Sequence, residues 1–493
     1  VGEQYVAPQT VIEQELSKIW SEVLRVEKIG IHDNFFRIGG DSIISIQLVS
    51  KARQRNIYFE VKDVFNNPTI TSLASIAKTQ QENTLSFKPD QNNVTGIVPL
   101  TPIQRWFFNS DHIDYNHYNQ AVLLQAPQRL DFDILKQTFS FLLSHHDALR
   151  LRYKKEDSPH CWQQISLERE ENSICLFLDL SSSSDEILPA DIERESSLIQ
   201  QSLNIGRGSL IKVVLFECGA ERPQRLLIAI HHLAVDGVSW RILLEDLERG
   251  YSSLAKEEAP TLLPKTHSYQ QWGETLLSYA QSEELKQQLP YWQRVEDHIK
   301  LLPVDFNHGP ALGSTAGTIE VSLTEDETTN LLQHTPRAYR TQINDILLTA
   351  LALAIGDLTQ EYSLSLSLEG HGREDIIKDI DLSRTVGWFT SFFPVHLELE
   401  NPHDLGESIK TVKEELRRIP HKGIGYGILK YLSPEKLNSH NHEPNLSFNY
   451  LGQWDNTEAR DSLFRFARES AGQSGSDQNN LSHLININSE VRE

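Results

Sequence analysis

The sequence predicts a small four-helix bundle followed by a larger α/β body with two lobes. Up to residue 78, apolar residues recur at the spacing of amphipathic helices. Residues 79–93 are rich in Gln, Asn, Ser and Asp, which is the composition of a linker. Beyond them, strand-like and helix-like stretches alternate along the rest of the 493 residues. We therefore expect a bundle at 5–80, a linker at 81–96 and a body at 97–493.

The bundle pattern predicts two longer helices and two short ones. The first covers residues 10–24, where the apolar side chains at helical spacing are Ile12, Leu16, Ile19, Trp20 and Val23. A loop with Phe35, Phe36 and two glycines follows, and the second helix is expected to begin at Asp41 or Ser42. Short helices are expected at 61–65 and 70–78, the latter preceded by a proline and a threonine.

The body shows both strand and helix patterns. Residues 225–230 are a short apolar run that predicts a buried strand, and 240–254 and 342–355 predict helices. Leu and Ser alternate over 364–368, which predicts a half-buried strand. A body of this length exceeds what one core usually serves. We expect a first lobe at about 97–300 and a second at about 301–493, with the break between residues 291 and 317.

Charge and composition argue against several classes of partner. The formal net charge is −22, whereas binding to nucleic acid needs clustered Lys and Arg. No stretch approaches the roughly 20 apolar residues that span a bilayer, and no signal-peptide pattern opens the sequence. The cysteines, Cys161, Cys175 and Cys218, lack the spacing of metal ligands. We expect a cytoplasmic protein with reduced thiols that binds neither nucleic acid nor membrane.

The run Gly39-Gly40-Asp41-Ser42 precedes an apolar helical pattern. Glycines let the backbone turn sharply and approach a ligand closely. A serine at a helix N-terminus places its hydroxyl where free N–H groups favour a phosphate. The local chemistry alone also allows an ordinary N-cap serine after a tight turn.

A second run, HHLAVDG at 231–237, follows the apolar strand pattern. Adjacent residues on extended backbone point opposite ways, so one histidine should face a cleft and the other should pack inward. Asp236 is close enough to orient the loop through backbone hydrogen bonds or an ion pair. A metal site is disfavoured, because adjacent histidines project badly for a shared ion. Two ordinary, partly buried histidines remain an alternative on the residues alone.

Residues 33–42, DNFFRIGGDS, closely resemble the attachment site of peptidyl carrier domains in nonribosomal peptide synthetases. The resemblance implies a four-helix carrier in which Ser42 bears a covalent 4′-phosphopantetheine arm. It further implies a phosphopantetheinyl transferase as a partner. Asp41 is similar to the variant found in carriers that serve an epimerisation domain.

The body resembles the condensation and epimerisation superfamily, which is related in fold to CoA-dependent acyltransferases. HHLAVDG matches its HHxxxDG motif, and PIQRWF at 102–107 and HDALR at 146–150 are further similar stretches. Three runs resemble epimerisation domains in particular: EGHGRE at 369–374, RTVGWFT at 384–390 and NLSFNYLG at 445–452. One departure is Phe393, which stands where a tyrosine is common before Pro394.

Site roles follow from this resemblance. His232 and Glu369 are expected to act as acid and base on opposite faces of the substrate, with Tyr450 and Asn449 lining the pocket or steadying an enolate. Supporting roles are expected for His231, Asp236, Arg373 and Arg384, with Asp236 paired to Arg384. Two alternatives stay open: Glu369 as an ordinary carboxylate paired with Arg373, and Tyr450 as a plain core aromatic.

The resemblance implies an epimerase that converts an L-aminoacyl or L-peptidyl thioester on the carrier to a D/L mixture. An upstream adenylation domain and a downstream condensation domain would be its neighbours. The alternatives are a condensation domain that forms peptide bonds and a non-catalytic module that docks carriers. No metal is expected.

Overall fold

The structure is a computed structural model that describes residues 5–79, 90–110, 112–158, 161–170, 172–306, 309, 311–377, 380–435, 437, 443–453 and 463–491. Most of the predicted linker lies outside these residues. The domain boundaries expected from the sequence therefore stay predictions.

The amino-terminal unit is a helical bundle. Its elements are α1 (Val11–Leu24), α2 (Ser42–Gln54), β1 (Ile57–Tyr58), α3 (Val61–Asn66), α4 (Ile70–Ile76) and β2 (Lys78–Thr79). Thr10 and Glu13 form a capping box that begins α1. The four predicted helices are present, and α4 ends before residue 78 because Lys78 pairs with Tyr58 of β1.

The loop before α2 is fixed by close packing of a glycine on an aromatic ring. Phe35 is fully buried and contacts Trp20 edge-on, with ring centroids 4.9 Å apart. A Cβ on Gly40 would lie 2.4 Å from the Phe35 ring, so only glycine fits there. Gly39 has φ 105°, a conformation that glycine adopts without strain. Together these contacts set the turn that leads to Ser42.

The first half of the body contains two sheets covered by helices. Its elements are β3 (Gly96–Val98), α5 (Pro102–Asn109), β4 (Asn119–Gln125), α6 (Phe132–His145), β5 (Leu151–Lys155), β6 (Trp162–Ser166), β7 (Cys175–Asp179), α7 (Leu188–Gln201), β8 (Ile211–Glu217), β9 (Arg225–His231), α8 (Gly237–Ala255), α9 (Tyr269–Tyr279), α10 (Glu283–Lys286) and α11 (Leu289–Asp297). β4, β9, β8 and β7 lie side by side, and β3, β6 and β5 form a separate sheet. The predicted strand at 225–230 and the helix at 240–254 are confirmed as β9 and α8.

The second half of the body is built on one four-stranded sheet. Its elements are α12 (Glu325–Thr329), α13 (Thr335–Tyr339), α14 (Ile343–Thr359), β10 (Ser363–Gly370), β11 (Ser391–Glu398), α15 (Leu405–Arg418), α16 (Ile424–Tyr431), β12 (Leu446–Gln453), β13 (Arg465–Phe466) and β14 (Ile485–Val491). The strand order is β11-β10-β12-β14, and α14 confirms the helix predicted at 342–355. Among the helices of the described residues, none combines the length and the apolar character needed to cross a bilayer.

Strand β10 differs from its prediction, because it is buried on both faces. Ser365 and Ser367 are as buried as the leucines that alternate with them. The Ser365 hydroxyl accepts a hydrogen bond from Lys300 N at 2.9 Å, and that of Ser367 lies 3.2 Å from His483 Nε2. Segments from elsewhere in the chain thus cover the face that the alternation predicted to be exposed.

The two lobes are tied together by a strand that crosses between them. Strand β13 lies within residues 301–493, which the sequence predicts to be the second lobe. Its residues Arg465 and Phe466 pair with Gln125 and Leu124 of β4. β13 thereby becomes the edge strand of the first-lobe sheet, in the order β13-β4-β9-β8-β7.

The helical bundle lies against the body near the ends of β10 and β12. Arg53 forms an ion pair with Asp381, and Lys62 N donates to Asp375 Oδ2 at 3.2 Å. On the other side, Lys422 Nζ lies 4.2 Å from the centre of the Phe65 ring. These contacts orient the N-terminus of α2 toward the junction of the two lobes.

Candidate functional site

One cavity of about 620 Å³ brings together the predicted site residues of all three units. The bundle contributes Ser42 and its neighbours at the N-terminus of α2. The first lobe contributes His232 at the end of β9, and the second contributes Glu369 near the end of β10. Asn449 and Tyr450 of β12 also line the cavity.

Ser42 is the first residue of α2, and Asp41 is the N-cap. Asp41 Oδ1 accepts a hydrogen bond from Ile44 N at 2.7 Å, so the carboxylate makes the cap that a serine would otherwise provide. The interpretation of Ser42 as an ordinary N-cap is therefore wrong. The Ser42 side chain lines the cavity, where a covalent group could extend toward the lobe junction. This position fits a phosphopantetheine attachment point.

Asp41 also lies against the body. A Cβ on Gly452 would be 3.1 Å from Asp41 Oδ2, and Gly452 has φ 78°. Burial raises the pKa of Asp41, and the nearby Arg241 guanidinium opposes the rise. Asp41 therefore combines capping of α2 with contact between bundle and body.

His232 is held as a neutral imidazole. Its Nδ1 lies 2.8 Å from the carbonyl oxygen of Val235, which can only accept, so Nδ1 carries the proton. Nε2 lies 3.0 Å from the side-chain nitrogen of Gln120. The ring stacks on that of Tyr118, with centroids 5.5 Å apart, and makes a tilted contact with Trp388, with centroids 4.3 Å apart. Burial lowers the pKa of His232, which favours the neutral form and its lone pair on Nε2.

His231 faces the opposite way and is fully buried. Its Nε2 lies 2.9 Å from the carbonyl oxygen of Tyr115, and its Nδ1 accepts from Leu233 N at 3.2 Å. Burial lowers the pKa of His231 to about 3. The structure thus places one histidine in the cavity and the other in the interior, as alternation along the strand predicts.

Glu369 is a solvent-accessible residue that lines the cavity. Its Oε2 accepts a hydrogen bond from Asn449 Nδ2 at 2.9 Å. Desolvation raises the pKa of Glu369 to about 7. The alternative in which Glu369 pairs with Arg373 is wrong, because that arginine binds another carboxylate.

The carboxylate that Arg373 binds is Asp236, which corrects the predicted pairing of Asp236 with Arg384. Arg373 Nη2 lies 3.1 Å from Asp236 Oδ1 and 2.9 Å from the Ser239 hydroxyl. Arg384 instead donates to Glu245 at 2.7 Å and to Asp246 at 2.5 Å.

The reason for this pairing is the backbone at Gly372. It has φ 66°, and a Cβ there would lie 1.6 Å from the carbonyl oxygen of Phe389. This glycine turns the chain back, so that Arg373 reaches beneath the loop that carries His232. Asp236 Oδ1 also accepts from Ser239 N at 2.7 Å, and its Oδ2 accepts from Phe389 N at 3.0 Å. Asp236 and Arg373 thus fix the histidine loop to the second lobe.

Tyr450 lines the cavity beside Asn449 and also packs against the core. Burial raises the pKa of Tyr450, so its hydroxyl stays protonated. A protonated phenol can donate a hydrogen bond to a developing negative charge.

Sequence reasoning missed several residues that shape this cavity, above all Gln120 and Trp240. Trp240 Nε1 donates to Gln120 Oε1 at 2.8 Å. Gln120 belongs to none of the runs that carry the resemblance. Pairing of β4 with β9, in which Asn119 lies opposite His231, is what brings Gln120 to His232.

The described residues bring three potential metal ligands together at one place, His145, His146 and Asp246. Asp246 there contacts His146 at 3.0 Å and accepts a hydrogen bond from Arg384. A guanidinium on the carboxylate opposes binding of a cation.

Two family models match the chain. Residues 94–487 match the Condensation domain, and residues 14–76 match the phosphopantetheine attachment site. One of the linear gramicidin synthase proteins of Brevibacillus parabrevis is 46% identical over 99% of this chain and 6% of its own length. Bacitracin synthase 3 of Bacillus licheniformis is 39% identical over 99% of this chain and 8% of its own length. The chain thus spans a small fraction of these relatives.

Solved structures with a similar fold come from the same kind of synthetase. The epimerization domain from the third module of tyrocidine synthetase B is 38% identical, with a TM-score of 0.76 over 83% of this chain and 90% of that one. The first condensation domain of the calcium-dependent antibiotic synthetase has a TM-score of 0.55 over 73% of this chain and 80% of that one. At 15% identity, the second likeness shows the fold alone.

These matches confirm the predicted fold, a helical carrier followed by a two-lobed α/β body like that of CoA-dependent acyltransferases. They also confirm 4′-phosphopantetheine as the covalent cofactor of the carrier. The chain belongs to the Condensation-domain family of nonribosomal peptide synthetases, with a phosphopantetheine-bearing carrier domain preceding the condensation-type domain.

Proposed function

We propose that this chain epimerises the Cα of an L-aminoacyl or L-peptidyl thioester borne by Ser42, giving a mixture of D and L forms. The observation that carries the proposal is the shared cavity, in which His232 and Glu369 come from different lobes and Ser42 lies at the N-terminus of α2. The likeness to the epimerization domain of tyrocidine synthetase B supports the same reaction.

The two proposed acid/base groups have suitable protonation states. Neutral His232 carries a lone pair on Nε2, so it can remove a proton. With a pKa of about 7, Glu369 is present as both carboxylate and carboxylic acid at neutral pH, so it can accept or donate a proton. General acids and bases work best when their pKa lies near the working pH, and each contributes about 10²–10⁴-fold.

Inversion requires that a proton leave one face of Cα and that another arrive on the opposite face. The electron pair of the broken C–H bond moves into an enolate, whose oxygen needs hydrogen-bond donors. The Tyr450 hydroxyl is our candidate donor, because it lines the cavity in its protonated form. We assign Asn449 to orienting Glu369, since its amide nitrogen donates to that carboxylate. Residues His231, Asp236, Arg373 and Arg384 keep supporting roles in this proposal.

The test is to load Ser42 with an L-aminoacyl group, using a phosphopantetheinyl transferase and aminoacyl-coenzyme A, and to determine the chirality of the hydrolysed product. We expect D product from the wild-type chain. A new peptide after addition of a second loaded carrier would instead identify a condensation domain, which the family model also allows. Unchanged L substrate under both conditions would identify a non-catalytic docking module.

The neighbours follow from the same proposal. The relatives that match 99% of this chain include a linear gramicidin synthase subunit and bacitracin synthase 3, and the chain spans a small part of each. We propose that an adenylation domain upstream supplies the amino acid and that a condensation domain downstream consumes the D form.

A further inference from the structure

The side-chain amide of Gln120 has a fixed orientation in the cavity. Trp240 Nε1 can only donate a hydrogen bond, and it lies 2.8 Å from one end of the amide. That end must therefore be the oxygen Oε1. The NH₂ end is then directed at His232, with the two nitrogens 3.0 Å apart.

The same geometry fixes the tautomer of His232 from both sides of its ring. The carbonyl oxygen of Val235 requires a proton on Nδ1, because it can only accept. The NH₂ group of Gln120 requires a lone pair on Nε2, because it can only donate. Both partners therefore select the neutral imidazole with Nδ1–H, and neither depends on the other.

We propose that Gln120 is a positioning residue for His232, holding the imidazole neutral with its lone pair on Nε2 and disfavouring protonation at that nitrogen. The assignment of His232 as the base rests on the proposed function, whereas the tautomer does not. The physical cause is direct: a donor that faces a nitrogen stabilises its unprotonated form.

The contact must open and close again during turnover. When Nε2 takes the Cα proton, the C–H electron pair remains with the substrate as the enolate and the imidazole becomes a cation. Two N–H groups would then face each other at the position of the present 3.0 Å contact, so the hydrogen bond breaks. Transfer of that proton from Nε2 to solvent water restores the hydrogen bond. Gln120 thereby favours return of His232 to its basic form after each proton transfer.

Other titratable groups lie near His232, and the test leaves them in place. Asp236 follows His232 in the loop, and its carboxylate favours the protonated imidazole of His232. His231 precedes His232 on β9 and packs into the interior. Tyr118 stacks on the ring from the segment before β4, and Glu369 faces the same cavity from β10. Changing Gln120 to Glu adds a charge beside His232 Nε2 without altering the size of the side chain.

The decisive variant is Gln120→Glu, with Gln125→Glu as the matched control. In the first, the carboxylate can still accept from Trp240 but can only accept from His232, so it favours a proton on Nε2. The control adds the same charge at the other end of β4, where Gln125 lies opposite Arg225. A third variant, Gln120→Met, removes the donor without adding charge.

The first readout is ¹⁵N NMR of the histidine rings in the full chain, with the His232 signals assigned from a His232→Gln variant. We expect the wild-type signals to show protonated Nδ1 and unprotonated Nε2. In Gln120→Glu, the pKa of His232 should rise by about 1–3 units, the usual effect of a nearby opposite charge. Gln120→Met should raise it by less, and Gln125→Glu should leave it unchanged. A wild-type proton on Nε2, or an unchanged titration in Gln120→Glu, would overturn the proposal.

The second readout is the pH dependence of epimerisation by the loaded chain. In Gln120→Glu, the rate below the raised pKa should fall about tenfold for each pH unit, because only the neutral base is active. If wild-type chain does not epimerise while the NMR shifts appear as expected, the proposed function fails and the role of Gln120 in setting the tautomer stands. If epimerisation occurs with the same pH profile in both forms, the positioning role fails and the function stands.

Discussion

Replacing Glu369 by Gln tests the acid/base assignment most directly, because the amide keeps the shape of the side chain and removes its titration. The Asn449 amide can still donate to the remaining side-chain oxygen. We expect the rate of inversion to fall by about 10²–10⁴-fold, the usual contribution of a positioned acid or base. Glu361→Gln, at an exposed residue two positions before β10, is the matched control and should retain activity.

Exchange of the Cα hydrogen with solvent tests which face of the substrate each residue acts on. In heavy water, wild-type chain that starts from L substrate should form D product with deuterium at Cα from the beginning. If His232 and Glu369 serve opposite faces, His232→Ala and Glu369→Gln should block inversion while differing in which enantiomer still exchanges its Cα hydrogen. Near wild-type inversion in both variants would refute the assignment. Equal loss of exchange from both enantiomers would favour one base, with the second residue orienting it.

The raised pKa of Glu369 adds a prediction about stability with a definite sign. Its pKa is about 7 in the folded protein, against 4.5 for the ordinary carboxyl. The folded state therefore binds the proton more tightly than the unfolded state, and this stabilisation is complete below pH 4.5 and is lost as the pH rises through 7. At pH 8, Glu369→Gln should raise Tm relative to wild type, and at pH 4 the gain should disappear. A gain of the same size at both pH values would show that ionisation of this carboxyl is not its cause.

Three further predictions concern the tether, the lobe junction and docking of the carrier. Ser42→Ala should accept no phosphopantetheine from coenzyme A, as measured by intact-protein mass spectrometry, and labelling that persists would place the attachment elsewhere. Arg373→Met should lower the free energy of unfolding by about 3–5 kcal/mol in urea titrations, because it leaves Asp236 as a buried unpaired charge; a loss below 1 kcal/mol would refute the structural role. Arg53→Glu should slow epimerisation of the substrate on the chain's own carrier, because Glu would repel Asp381. Adding Asp381→Arg should restore the rate, and failure of the double variant to recover would argue against this docked arrangement.

The elements of the fold were predictable from local patterns, whereas their pairings were not. Apolar spacing was sufficient for α1, since one face of that helix forms the core of the bundle. Alternation of Leu and Ser predicted the existence of β10 but gave it a solvent-exposed face. That face is covered by Lys300 and His483, which come from distant parts of the sequence. A local pattern contains no information about such coverage.

In the candidate site, too, the members were predictable from the sequence, whereas some of their partners were not. The expected members His232, Glu369 and Tyr450 share one cavity because each lies near the end of a strand that points to the lobe junction. The partner of Asp236 was predicted wrongly, since two buried arginines stand in neighbouring motifs and only the turn at Gly372 decides between them. Gln120 was missed because its proximity to His232 depends on strand pairing.

The cavity also explains why its two acid/base groups belong to different lobes. A planar enolate must be approached from both faces, so groups on one sheet edge would lie on one side of it. Here β9 ends at the histidine loop and β10 ends at Glu369, and each strand belongs to a different sheet. The distance between the groups then depends on how firmly the lobes are joined. Arg373 binds Asp236 across that junction and β13 pairs with β4, so both contacts hold the two faces of the site at a fixed distance from each other.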